Sequence, residues 1–140
     1  MQKITAAQAI LLFLLLIIPS VSLLHFTLSE VTSPKIRLMI AAWLMLSSLL
    51  AYIQISSDKK KAQADQWRTP ETQLHLIELL GGWPGSFIAQ RRFRHKTSKN
   101  SYQSTFWFIV IAYQFLAIDY LRNWSISLYL IAKLSEAFAA

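Results

Sequence analysis

An all-α integral membrane protein is the fold class this 140-residue sequence predicts, and three observations predict it. Hydrophobic residues make up 54% of the chain, high for a soluble domain of this size. Apolar runs near residues 4–26, 36–55 and 103–121 are each long enough, at 1.5 Å per residue, to cross a hydrocarbon core of about 30 Å. The charge is lopsided: 14 Lys and Arg against 7 Asp and Glu give a net +7, and most of the excess falls between the second and third runs. Residues 1–140 read as a single membrane domain. There is no cysteine, so disulfides and cysteine-based metal or redox chemistry are excluded.

The first run carries no charge from Ile4 to Phe26. Lys3, the apolar stretch from Ile10 to Ile18, Pro19 and the small pair Ser20 and Ser22 also have the order of a signal peptide. Leu23, Leu24 and Phe26 carry the run past any such cleavage site and favour a retained helix, kinked at Pro19, with His25 at the interface. Thr27 to Lys35 is a polar connection that ends in the Ser33-Pro34 turn. In the second run Arg37 snorkels to the interface and Tyr52 suits the aromatic belt. Ser56 to Thr72, with Lys59, Lys60, Lys61 and Arg68 against Asp58, Asp65 and Glu71, reads as a solvated loop. The third run closes on Asp119 and Arg122, spaced to pair at the interface. Residues 124–138 form an amphipathic tail, with Leu128, Ile131 and Leu134 opposite Lys133 and Glu136, which is too short to span and predicts an interfacial helix.

Between these elements lies a short apolar segment, Leu74 to Ala89, broken by Gly81, Gly82, Pro84 and Gly85. If it crossed the membrane, the basic loops on either side would face different compartments, against the positive-inside tendency. If it dips in and returns, nine cations share one face: Lys59, Lys60, Lys61, Arg68, Arg91, Arg92, Arg94, Lys96 and Lys99. The second arrangement predicts a Gly-Gly-broken helical hairpin over residues 70–95, with its basic loops and the amino terminus cytoplasmic. Gly81-Gly82 permits the reversal, Pro84 suits the first turn of the second arm, and Gly81, Gly85 and Ala89 permit close helix approach. Trp67-Arg68-Thr69-Pro70-Glu71 reads as the entry: Trp67 at headgroup level, Thr69 as cap, Pro70 in the first turn, Glu71 on the helix dipole. Glu71, His75 and Glu78 recur at helical spacing, and Glu78 is placed to meet Arg91 or Arg94 across the hairpin.

Asp58-Lys59-Lys60 with Ala62 after an apolar helix is followed by Trp67-Arg68-Thr69-Pro70-Glu71 and Leu74. Then come Gly81-Gly82, Gly85, Arg94-His95-Lys96-Thr97 with Lys99, Tyr102, and Gln114 in the last span. In order and spacing this resembles the domain of unknown function 1294, a family of small bacterial inner-membrane proteins, over residues 50–115. The resemblance implies a multi-pass protein of the bacterial inner membrane. Some relatives carry an amino-terminal cold-shock domain that binds single-stranded nucleic acid. The 140 residues contain no such segment, so nucleic-acid binding is not carried over.

The candidate phosphate or lipid-headgroup residues are Arg91, Arg94, His95, Lys96 and Lys99, since arginine offers a bidentate fork and lysine a point charge. The bland reading is a juxtamembrane anchor touching many lipids weakly, which also suits Lys59 to Lys61. His95 reads as a structural hydrogen-bonding group, its cationic neighbours disfavouring protonation. His75 and Glu78 fall short of a zinc ligand set, so no metal or cofactor is expected. No nucleophile–base pair, phosphate loop or carboxylate dyad is present, and no catalytic residue is assigned.

The function expected is therefore a non-catalytic cytoplasmic platform that binds anionic lipid phosphate, or recruits a protein partner or a second copy of the chain. The alternatives are a membrane-embedded enzyme or transporter-like element on a phosphorylated lipid, with His95 and Glu78 as acid and base and Arg94 and Lys96 as clamp, or a membrane tether for nucleic acid.

Overall fold

The structure, a computed structural model, describes residues 5–28 and 33–139, and the described residues are helical with no strand. The expected start of the first run at Lys3 and Ile4, and the middle of the connection at residues 29–32, lie outside the described residues. Six α-helices follow in order: α1 Ala6–Leu28, α2 Pro34–Gln63, α3 Glu71–Ile77, α4 Trp83–Phe93, α5 Asn100–Leu121 and α6 Ser125–Ala139. A π-helical turn, Glu78–Gly82, joins α3 to α4. Three helices, Ala6–Phe26, Pro34–Gln63 and Asn100–Leu121, are long and apolar enough to cross a membrane.

Helix α2 departs from the sequence reading. It starts where the Ser33-Pro34 turn predicts, with Ser33 Oγ accepting from the Ile36 N–H, but runs on through Ser56–Gln63, where a solvated loop is expected. Charge ends an apolar run without ending a helix: Lys60 and Lys61 fall in the last turn, where cations complement the exposed carbonyls. Asp58 extends the buried stripe Ser47, Ala51, Ile55 and is fully buried instead of solvated.

Contacts fix the path of the chain. Entering α3, the Thr69 N–H donates to Asp58 near the end of α2; at the other end of the π turn the Leu80 carbonyl accepts from Trp43 Nε1, fifteen residues back along α2. The chain then turns at Gly81, whose φ of +105° is open to glycine and costly for other residues. Helix α4 climbs back along α2, past the Tyr52–Phe93 ring pair at 5.7 Å, until His95 reaches Asp58. The two arms therefore start and finish at one level of α2. Helix α5 runs down against α4, with Phe106 on Phe87 and Tyr113 on Trp83, and α1 lies alongside α5, tied by Gln114 Nε2 to the Leu15 carbonyl.

The reversal leaves carbonyls without helical partners, each costing about 1–3 kcal/mol if buried unpaired. Side chains from two neighbouring helices take them up: Trp43 Nε1 on Leu80 O at 3.0 Å, Ser48 Oγ on Gly81 O at 3.5 Å, and Tyr113 OH on Leu79 O at 2.7 Å. The core comprises Ile55, Leu74, Trp83, Phe87, Ala89, Tyr102, Phe106 and Val110. Pro84 sits in the first turn of α4, as its missing N–H predicts.

Two local expectations are corrected. Thr69 does not cap α3: Pro70 holds the cap position with no side-chain bond, and Thr69 uses its backbone N–H on Asp58 instead. Asp119 is buried and accepts from the Ile126 and Ser127 N–H groups and the Ser127 hydroxyl, capping α6 instead of pairing with Arg122. The cause is the left-handed turn at Asn123 and Trp124, which folds the start of α6 onto Asp119. Helix α1 contains Pro19 within its span, and His25 lies edge-on to Tyr120.

Candidate functional site

Two buried carboxylates organise the mouth of the α3–α4 unit. Asp58 accepts from the Thr69 N–H at 2.8 Å through Oδ1; Oδ2 faces His95 Nε2 at 2.7 Å and Lys96 Nζ at 3.2 Å. Lys96 also meets Glu71 at 3.4 Å, and Lys99 pairs with Glu71 at 2.9 Å. The second carboxylate is Glu78. It accepts from the Tyr102 hydroxyl at 2.7 Å and from Gln90 Nε2 at 3.5 Å, and lies 2.6 Å from His75 Nδ1. Gln103 Nε2 donates to Gln90 Oε1 and to the Lys96 carbonyl. Lys96 Nζ stands 5.0 Å over the Tyr102 ring and links the two sets.

A buried carboxylate is tolerated only when its lone pairs are occupied, and each of these has partners on both oxygens. Asp58 itself stands on α2, and the partners of the two carboxylates come from the 64–70 connection, α3, α4, the 94–99 turn and α5, so the network fixes one arrangement of the whole mouth.

The phosphate candidates divide. His95, Lys96 and Lys99 are engaged by Asp58 and Glu71. Arg91 lies over the Phe87 ring at 3.4 Å and donates to the Phe87 carbonyl, so it does not meet Glu78 as the helical spacing predicts. Arg94 ends α4 with a left-handed φ of +47°, and Lys96 follows at +58°. Of the hairpin residues, Trp67 is 90% exposed, while Glu78, Gly81, Gly82 and Gly85 are buried and Glu71 and Pro84 partly buried. Sequence reasoning did not find Asp58, Gln90, Tyr102 and Gln103 as partners. Asp58 enters it as an acid of a solvated loop and a mark of the family resemblance, and Tyr102 as a mark of that resemblance.

Electrostatics follow from this packing. Burial pushes the His95 pKa below its ordinary 6.5; the Asp58 hydrogen bond and charge oppose that, and the charges of Lys96 and Lys59 add to it. His95 is therefore a neutral ring at pH 7. Burial raises Glu71, but the Lys99 hydrogen bond and the charges of Lys96 and Lys99 outweigh it and hold Glu71 below 4.5. For His95 the unfolded chain binds more protons below pH 6.5, so its contribution is complete above that value and is lost on acidification. The contribution of Glu71 is present above pH 4.5 and lost as pH falls through its folded value. Thermal midpoints in detergent are expected to fall as pH drops below 6.5, and His95→Gln to flatten that limb while leaving the loss below pH 4.5 that Glu71 contributes.

Fold and site together define a class: an all-helical protein with three helices apolar enough to cross a membrane and a broken helical pair anchored on buried carboxylates. Residues 48–102 match the family model described as "Protein of unknown function (DUF1294)", a stretch that contains every residue of the Asp58 and Glu78 networks except Gln103. The curated relative "Uncharacterized protein YsdA" of Bacillus subtilis (strain 168) is 38% identical over 66 residues, 47% of this chain and 74% of the relative. The chain belongs to the DUF1294 family. No solved structure matches it.

Proposed function

We propose that the chain is a multi-pass protein of the bacterial inner membrane whose α3–α4 hairpin re-enters the bilayer, and whose cytoplasmic basic end is a non-catalytic platform for anionic lipid phosphate. The observation that carries this reading is the double tie at Asp58: Thr69 from the entry and His95 from the exit bond the same carboxylate. With both ends at one level of α2, the basic residues of 59–68 and 91–99 share one end of the helical bundle. Such a collection of cations suits an anionic cytoplasmic leaflet.

The distribution of polarity adds support. Asp58, Glu78 and Gln90 are fully buried, whereas Phe13, Leu38, Met45 and Phe108 each expose two thirds or more of their surface. Polar groups inside and large apolar groups outside suit a lipid solvent. The side chains capping the π turn satisfy the further demand that non-helical backbone at membrane depth be covered by protein. The platform is preferred over the enzyme because His95 and Glu78 have different partners: His95 Nε2 faces Asp58, while Glu78 is held by Tyr102, Gln90 and His75.

The chain has no cysteine, so single engineered ones report topology without background. Asp65→Cys and Asn100→Cys are both expected to react with a membrane-impermeant maleimide only when the cytoplasmic face is exposed. Labelling of the two from opposite sides defeats the re-entrant reading.

A further inference from the structure

We infer that the phosphate site of this platform is a cleft between the end of α2 and the end of α4, and that its ligand is a phosphomonoester. The inference rests on the platform reading above and assigns its binding residues. The cleft, about 600 Å³, is lined by Lys59, Lys60, Arg92 and Arg94, with Ser56, Gln63 and Phe93 completing the wall. Four cationic residues line it and no acidic one does.

The basic segment thus presents two chemically different faces. Lys96, Lys99 and His95 turn toward Asp58 and Glu71, which already supply their counter-charge. Arg92 and Arg94 line the cleft together with Lys59 and Lys60. The division has a backbone cause. Arg94 and Lys96 both take left-handed conformations, so successive side chains after α4 leave on different sides. Holding two non-glycine residues there costs free energy, which the contacts of His95, Lys96 and Lys99 with Asp58 and Glu71 offset.

Charge decides the ligand class. A phosphomonoester carries about −1.5 to −2 at neutral pH, a phosphodiester about −1, so a wall of four cations matches the monoester better. Arginine contributes planar forks, lysine mobile point charges, and the Ser56 hydroxyl and Gln63 amide neutral donors. Height points to the source. Ser56 follows Ile55, where the apolar run of α2 stops, so the cleft opens at headgroup level in the proposed membrane. Phe93, packed on Tyr52, gives an apolar edge for the carbons of a lipid.

The test is native mass spectrometry of the full chain in detergent with phosphatidic acid, a monoester lipid, against phosphatidylglycerol, a diester. One phosphatidic acid is expected to be retained in preference to phosphatidylglycerol. The double variant Lys60→Gln/Arg92→Gln is expected to lose about thirtyfold in affinity, while Lys133→Gln, an equal loss of charge per residue on α6, leaves retention unchanged. Displacement by millimolar inorganic phosphate supports the monoester chemistry and makes a soluble phosphate the source; resistance to it makes the lipid the source. Equal retention of the two lipids, or retention that survives the double variant but is lost in Lys99→Gln, overturns the cleft and leaves the platform standing. No anionic lipid retained by the parent chain overturns both. Circular dichroism of each variant separates lost binding from lost folding.

Discussion

Replacing Asp58 with Ala is expected to lower the folding stability of the detergent-solubilised protein by about 3 kcal/mol, because it deprives buried partners of their counter-group. The carboxylate has no exposed surface and holds three groups from two separate segments: the Thr69 N–H, His95 Nε2 and Lys96 Nζ. Without it Lys96 retains Glu71 at 3.4 Å, a longer and partly exposed contact, while the Thr69 N–H and the neutral His95 ring lose their acceptor. Both ends of the hairpin are then released together, so proteolysis at residues 64–70 and 94–99 is expected to rise in parallel. Asp58→Asn keeps an acceptor for Thr69 and is expected to cost less than Asp58→Ala. Asp65→Asn, which removes an exposed carboxylate seven residues further on while keeping a side chain suited to its left-handed φ of +51°, is the control and changes stability by less than about 0.5 kcal/mol. A cost below about 1 kcal/mol for Asp58→Ala, read from thermal or denaturant unfolding, means that apolar packing alone holds the mouth closed.

The role of Asp58 was hidden in the sequence by its neighbours. Followed by Lys59, Lys60 and Lys61, it reads as the start of a solvated loop, since an apolar run ends there. The spacing tells otherwise: Ser47, Ala51, Ile55 and Asp58 recur at intervals of four, four and three, one face of a continuing helix, and all four are buried. The same rule applied to α5 joins Tyr102 to Phe106 and Val110, all buried, and so turns the Tyr102 hydroxyl toward the interior. Helical periodicity thus carries which side chains point inward, even through charged stretches. It does not carry which of them meet: His95 and Asp58 are 37 residues apart, and their contact exists because the hairpin returns to its starting level.

The three apolar helices were legible because each is a long apolar run with at most one charged residue, near an end, a signal that survives errors of a few residues at either end. The glycines were legible for a related reason, since a break in an apolar segment has few other uses. The basic cluster was less so. Read along the chain, Arg91 to Lys99 is one patch; in space it faces two ways, because left-handed residues at positions 94 and 96 cannot be inferred from Arg and Lys, which seldom adopt that conformation. The Asp119 cap likewise depends on left-handed Asn123 and Trp124, so an expected surface ion pair became a buried helix cap.

Gly85→Ala is expected to have an effect as large, through backbone contact instead of charge. Gly85 faces α2 so closely that a Cβ built there overlaps the carbonyl carbon and oxygen of Ser48. Backbone atoms of a helix cannot rotate away, so α4 must shift from α2, an overpacking cost of about 1–3 kcal/mol by itself. The shift also moves the π turn away from Trp43, Ser48 and Tyr113, whose bonds to the carbonyls of Leu80, Gly81 and Leu79 have little slack. Each carbonyl left unpaired away from water adds about 1–3 kcal/mol, which brings the total above about 3 kcal/mol. Because the obstruction is the Ser48 backbone, Ser48→Gly is expected not to rescue Gly85→Ala, whereas a side-chain obstruction would yield to such a truncation. Unfolding of Gly85→Ala, Ser48→Gly and the double variant measures this. Parent-like stability in Gly85→Ala, or full rescue in the double variant, means that α4 does not lie against α2 in this register.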